Sequence, residues 1–88
     1  MKIAAIQHDI IWEDPQANHE RLAPLIEQAA TAGTEMIVLT EMYATGFSMN
    51  SQVIAEPPDG RSVNFLLDQA QTHEVWVAAS VPVKDKEE

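Results

Sequence analysis

The residue best placed to do chemistry in this chain is Glu41, within Leu39-Thr40-Glu41-Met42-Tyr43-Ala44-Thr45-Gly46-Phe47-Ser48-Met49-Asn50. It follows the apolar run Met36-Ile37-Val38-Leu39. A parallel strand that ends this way delivers its last side chains to the rim where α/β proteins gather their sites. A carboxylate there, partly withdrawn from water, has the character of a general base. The competing reading is a solvated carboxylate just past a strand. The chain contains no cysteine. That removes disulfides and thiolate metal sites, and it suits a reducing compartment.

Other chemistry-bearing residues carry weaker signals. His8, His19 and His73 share no spacing that would build a metal site. His8, at the end of a predicted strand, is a candidate polar lining residue, whereas His19 and His73 read as exposed helix residues. Capping explains Asp14, next to Glu13, better than ligation does. Arg61 reads as a surface ion-pair partner, with capture of an anionic substrate as the alternative. Lys84 and Lys86 read as solvated turn residues. Trp12 and Trp76 read as core or interface anchors, since nothing basic surrounds them to make a base-stacking platform.

The elements that must position Glu41 follow from periodicity. Residues 3–11 open with the two-sided apolar run Ile3-Ala4-Ala5-Ile6, which predicts a strand covered on both faces. Asp14-Pro15 predicts an N-cap with proline at the first helical position, and Asn18 is a competing cap. Leu22, Leu25, Ile26, Ala29 and Ala30 then fall at helical spacing until Gly33, a C-terminal stop. Pro24 conflicts with that helix and predicts a kink. Residues 35–40 predict a second strand and 42–58 a long loop. Residues 62–73 predict a second helix, with Val63, Leu66, Leu67 and Ala70 on one face. Residues 75–83 predict a third strand, and 84–88 a charged end. Strand–helix–strand–helix–strand with connections of this length gives right-handed parallel crossovers and an α/β layer. Two helices cover one face of such a sheet, so the other face needs a layer that these residues do not supply.

Composition narrows the function classes. The chain has 88 residues, enough for one domain or part of one, and its formal net charge is −9. That charge argues against nucleic acid and anionic membrane surfaces as partners. The opening apolar stretch is too short and too quickly interrupted for a signal peptide. No run approaches the roughly 18 apolar residues of a membrane helix. The expected location is the cytoplasm.

The order of these segments resembles the first third of a nitrilase-superfamily carbon–nitrogen hydrolase. The resemblance is carried by Lys2-Ile3-Ala4-Ala5-Ile6-Gln7, by Asp14-Pro15 with Asn18, by Ile37 through Met49, and by Trp76-Val77-Ala78-Ala79-Ser80-Val81-Pro82-Val83. The strand-end glutamate followed by a Gly-Phe pair is its most specific part. The Thr45-Gly46-Phe47-Ser48-Met49 run is most similar to the omega-amidase branch. The resemblance implies an α/β fold, the N-terminal β-α-β-α-β portion of a nitrilase-type αββα sandwich, with parallel strands and two helices on one face. Residues 1–88 would be a partial hydrolase domain, ending before the family's lysine and cysteine.

In that family a glutamate matching Glu41 is the general base toward a cysteine, while a lysine stabilises the oxyanion. Phe47 matches an aromatic position that lines the acyl pocket, or serves as a packed loop anchor. The implied activity is hydrolysis of a linear carboxamide, an ω-amide of a 2-oxo dicarboxylate such as 2-oxoglutaramate. It would proceed through a thioester and need no cofactor or metal. The expected partners are that small amide and further copies of a full-length protein. The 88 residues alone are expected to be inactive. Two departures stand out: Thr40 where the family usually has proline, and Ala79 where glycine is common. The alternative is a non-catalytic interaction module that pairs through its uncovered sheet face. The hydrolase reading expects the Glu41 carboxylate to face a concavity.

Overall fold

Asp14 and Pro15 start the first helix as their types require. The Asp14 carboxylate accepts a hydrogen bond from the Ala17 amide at 3.1 Å, and proline occupies the first turn, where its missing N–H costs nothing. In this computed structural model, which describes residues 1–46 and 55–83, α1 spans Pro15–Thr31 and runs on through Pro24. It ends where Gly33 takes φ +88 and donates to the Ala30 carbonyl at 3.0 Å. Asn18 is not the cap. It lies inside α1, fully buried, and bonds across to other segments.

The second helix, α2, spans Arg61–His73. Its N-cap is Gly60, which has no side chain to offer, so Glu56 supplies the acceptors. The two Glu56 carboxylate oxygens accept from the Ser62 amide at 2.8 Å and the Ser62 hydroxyl at 2.5 Å. A Cβ on Gly60 would sit 2.7 Å from that carboxylate, so only glycine lets Glu56 lie this close.

Strands β1 (Ile3–Ile6), β2 (Met36–Leu39) and β3 (Trp76–Ala78) form one parallel sheet in the order β1-β2-β3. The register aligns Ala4, Ile37 and Val77 in one row and Ile6 with Leu39 in another. These side chains share a face. Ile37 and Leu39 are buried there with Leu22 and Ile26 of α1, and Phe65 and Leu66 of α2 pack against the same cluster. Both helices therefore serve one face. The alternate rows, Ile3–Met36–Trp76 and Ala5–Val38–Ala78, lie on the other face, where Ile3 is 58% and Trp76 72% exposed.

All three strands are shorter than the sequence predicts. The central strand's ladder ends at Leu39 because the chain turns over residues 41–45. Residues beyond Ile6 and Ala78 then have no ladder partner beside them. Farther along, Val83 forms a single parallel bridge with Glu56.

Candidate active site

The turn beyond β2 is the most heavily tied segment of the described chain. Its five consecutive carbonyls, Met42 through Gly46, all accept hydrogen bonds. Met42 O accepts from the Thr45 and Gly46 amides at 3.2 and 2.8 Å, and Thr45 O from the Glu13 amide at 2.9 Å. Tyr43 O accepts from Nε2 of His8 at 3.0 Å, Ala44 O from Nδ2 of Asn18 at 2.6 Å, and Gly46 O from the Thr45 hydroxyl at 3.1 Å. On the donor side, the Met42 amide reaches Oγ of Ser80 at 2.7 Å. Residues 43–46 are buried. Met42 has φ +52, a left-handed conformation that costs a side-chain-bearing residue energy and persists only where its surroundings over-determine it.

Asn18 is the central tie. Besides Ala44 O, its amide nitrogen lies 2.7 Å from Ile11 O and 2.9 Å from Asp14 O, three acceptors sharing its two hydrogens, while its oxygen accepts from the Ile11 amide at 2.8 Å. One buried side chain thus joins α1, the segment before it and the turn after β2. Gly46, at φ +77, closes the turn beneath Trp12, whose ring carbon would stand 3.1 Å from a Cβ there.

A second polar seam lies under the turn. The Tyr43 hydroxyl donates to the Ser62 carbonyl at 2.8 Å. Its single hydrogen is then used, so Nε2 of His19, 3.3 Å from the same oxygen, is the donor to it. The His19 ring stacks on Phe65 with centroids 4.3 Å apart and planes 4° from parallel. Burial lowers the pKa of His19 from its ordinary value; Glu56 opposes that shift and Arg61 adds to it. Burial pushes the Tyr43 phenol far upward; the Ser62 side chain opposes that shift and Glu56 adds to it.

Glu41 itself stands at the start of this turn, and its side chain is exposed. The partial burial expected for it is absent, because β1 and β3 end before they can flank it. Nor does it line either of two described cavities. One of about 620 Å³ runs between Leu67, Ala70, Val75 and Trp76; another of about 270 Å³ lies at Asp14, Gln16, Ala17 and Glu20. Phe47, Lys84 and Lys86 lie outside the described residues.

The remaining candidates separate. No group of three or more His, Cys, Asp or Glu among the described residues could hold a metal. His8 turns one nitrogen to the turn and leaves Nδ1 buried without a partner. His19 is half-buried in the seam rather than exposed. The surface ion pair among the described residues joins Arg21 to Asp9 at 3.7 Å and does not involve Arg61. Trp12 and Trp76 are not core residues, being 61% and 72% exposed. Sequence reading missed Tyr43, Ser80 and the role of Asn18. The register that brings Ser80 near the turn, two residues past the Val38–Ala78 pair, is a property of the folded sheet and left no mark in the sequence.

The site is thus an acid held on a clamped turn at the C-terminal rim of a parallel α/β layer. The chain belongs to the carbon–nitrogen hydrolase family, whose model matches residues 2–88. It is similar to a nitrilase of Pyrococcus abyssi, 27% identical over 97% of this chain and 34% of the relative. It is also similar to omega-amidase YafV of Escherichia coli, 30% identical over 96% of this chain and 32% of the relative. Among solved structures, it superposes on XC1258 from Xanthomonas campestris with a TM-score of 0.84 at 27% identity. XC1258 is a CN-hydrolase superfamily protein whose crystal structure has an arsenic adduct in the active site; the match covers 93% of this chain and 31% of that one. The chain thus spans about a third of the length of these relatives. No helix among the described residues is long and apolar enough to cross a membrane.

Proposed function

We propose that these residues carry the general base of a cytoplasmic amidase that hydrolyses the ω-amide of a 2-oxo dicarboxylate such as 2-oxoglutaramate. Glu41 is the base. A cysteine and a lysine from polypeptide beyond residue 88 complete the site, and that polypeptide supplies the wall over Glu41. The observation that carries the reading is an exposed carboxylate on a turn whose carbonyls from Met42 to Gly46 are all bonded and whose residues 43–46 are buried, at the rim of a carbon–nitrogen hydrolase layer. Similarity to omega-amidases favours the ω-amide among possible amides.

In this mechanism Glu41 takes the thiol proton, for a free thiol has a pKa of about 8.5 and is mostly protonated at neutral pH. The sulfur adds to the amide carbonyl, and the lysine ammonium stabilises the oxyanion. The C–N bond breaks, the amine nitrogen leaves as ammonia with the proton that Glu41 returns, and a thioester remains. Water, deprotonated by the same carboxylate, then releases the acid. The test is ammonia release from 2-oxoglutaramate by a full-length protein. Glu41→Gln should lower kcat by roughly 10²–10⁴-fold, the usual worth of a positioned general base. Wild-type kcat in that variant overturns the reading. The 88-residue chain alone, with no cysteine, should release no ammonia above a Glu41→Ala control.

A second reading is a non-catalytic module that binds another chain through its bare sheet face, favoured by the exposure of Ile3 and Trp76. The reading frame beyond residue 88 discriminates. An in-frame lysine and later cysteine favour the hydrolase, and an immediate stop codon favours the module.

A further inference from the structure

We infer that Ser80 is a positioning residue that sets the direction of Glu41, an inference that rests on the reading of Glu41 as the base. Among the described residues the Glu41 side chain is exposed, so the restraint they place on its direction acts through its backbone. The peptide that follows Glu41 is the one whose N–H belongs to Met42, and Met42 holds the disfavoured φ of +52. That N–H donates to Oγ of Ser80 at 2.7 Å. The sheet ladder cannot supply this acceptor, since β2 ends at Leu39 and β3 at Ala78. Register nevertheless brings Ser80 to the right place, two residues past the Val38–Ala78 pair.

The other ties act farther along. His8, Asn18 and Glu13 hold the carbonyls of Tyr43, Ala44 and Thr45. They fix the body of the turn, and none of the three bonds to the Glu41–Met42 peptide itself. Ser80 holds that peptide. Ser80 is half-buried two residues beyond the end of β3, so removing its hydroxyl leaves the helix-facing core in place. Losing it should let Met42 relax toward ordinary dihedrals and swing the carboxylate away from the reacting sulfur. Binding of the amide would be little changed, because Ser80 acts on the base and not on the substrate.

The experiment uses the full-length hydrolase with Ser80→Ala, Ser80→Thr and Glu41→Gln, measuring steady-state ammonia release and hydrogen exchange at the Met42 amide. Ser80→Ala should lower kcat by roughly tenfold, the equivalent of one lost buried hydrogen bond, with KM within about twofold. Its Met42 amide should exchange roughly tenfold faster by the same reasoning. Ser80→Thr keeps the oxygen and should restore both. Wild-type kcat in Ser80→Ala, beside a crippled Glu41→Gln, overturns the inference and spares the reading of Glu41. Wild-type kcat in Glu41→Gln overturns that reading, and with it any role for Ser80 in aiming a base. Unchanged Met42 exchange in Ser80→Ala overturns the inference in either case. Should Ser80→Ala not fold, Ser80→Cys puts a weak acceptor in nearly the same volume and is read by the same outcomes.

Discussion

The two faces of the sheet are nearly equal in apolar character and opposite in fate. On one, Ile37 and Leu39 are buried under two helices. On the other, Ile3 and Trp76 stand more than half exposed while Met36 and Val38 are partly covered. The strand sequences Ile3-Ala4-Ala5-Ile6 and Met36-Ile37-Val38-Leu39 contain no alternation that would mark one side as wet. Such runs belong to strands that are covered twice. Among the described residues, the difference between the faces separates side chains buried under the helices from side chains left exposed.

The sharpest way to break that contrast is to delete equivalent side chains on adjacent positions of β2. Ile37→Ala removes a fully buried side chain from the middle of the core and should cost about 2–5 kcal/mol. Val38→Ala, one residue on but on the bare face, should cost under about 1 kcal/mol, since part of that side chain is already in water. Urea unfolding followed by circular dichroism measures both. Tryptophan emission would serve poorly, because Trp12 and Trp76 are already exposed. Equal losses at the two positions would mean that the second face is not bare.

How far the sequence foretold this layer depends on the range of the interaction. Local rules worked: Asp14 caps, Pro15 leads, Gly33 stops α1, and the parallel pairing of the strands follows from connection lengths. Glu41 was legible as a strand-end acid for the same reason. What failed needed contacts between residues distant in the chain. Asn18 looked like a rival cap because its Ala44 partner lies 26 positions away, and Ser80 looked ordinary because Met42 lies 38 positions away. His19 looked exposed on its own helix, since the Phe65 ring that covers it comes from another. Strand ends were overextended because β2 turns at residue 41, a matter of backbone dihedrals that apolar runs do not encode.

The helix-covered side also carries His19 and Tyr43, whose pKa values shift on folding. His19 has a folded pKa below its unfolded 6.5. The folded state therefore holds it neutral, and its contribution is complete above pH 6.5 and lost as pH falls from there toward the folded value. Tyr43 behaves as the mirror case, with its folded pKa raised above the unfolded 10.0. It leaves stability unchanged below pH 10 and reduces it as pH rises beyond, where only the unfolded chain ionises. Tyr43 is the single tyrosine, so phenolate absorbance reports it without overlap. It should appear together with unfolding and not before. Tyr43→Phe should remove the alkaline arm at a cost of about 1 kcal/mol for the lost bond to Ser62. Phenolate absorbance rising near pH 10 in a folded chain would contradict the seam.

The smallest effect on stability should come from the bare face, and it is the one that gives the contrast its meaning. Ile3→Ser and Trp76→Ser replace side chains that are 58% and 72% exposed, so each should shift unfolding by no more than about 0.5 kcal/mol. Association should respond instead. The rows Ile3–Met36–Trp76 and Ala5–Val38–Ala78 make a contiguous apolar surface, of the kind that draws molecules together in water. Sedimentation of the 88-residue chain should show concentration-dependent association that the double variant loses, while its urea midpoint stays put. If the double variant instead unfolds as readily as Ile37→Ala, those side chains are stabilising the isolated layer. The apolar surface would then owe its composition to this fold alone rather than to a covering layer.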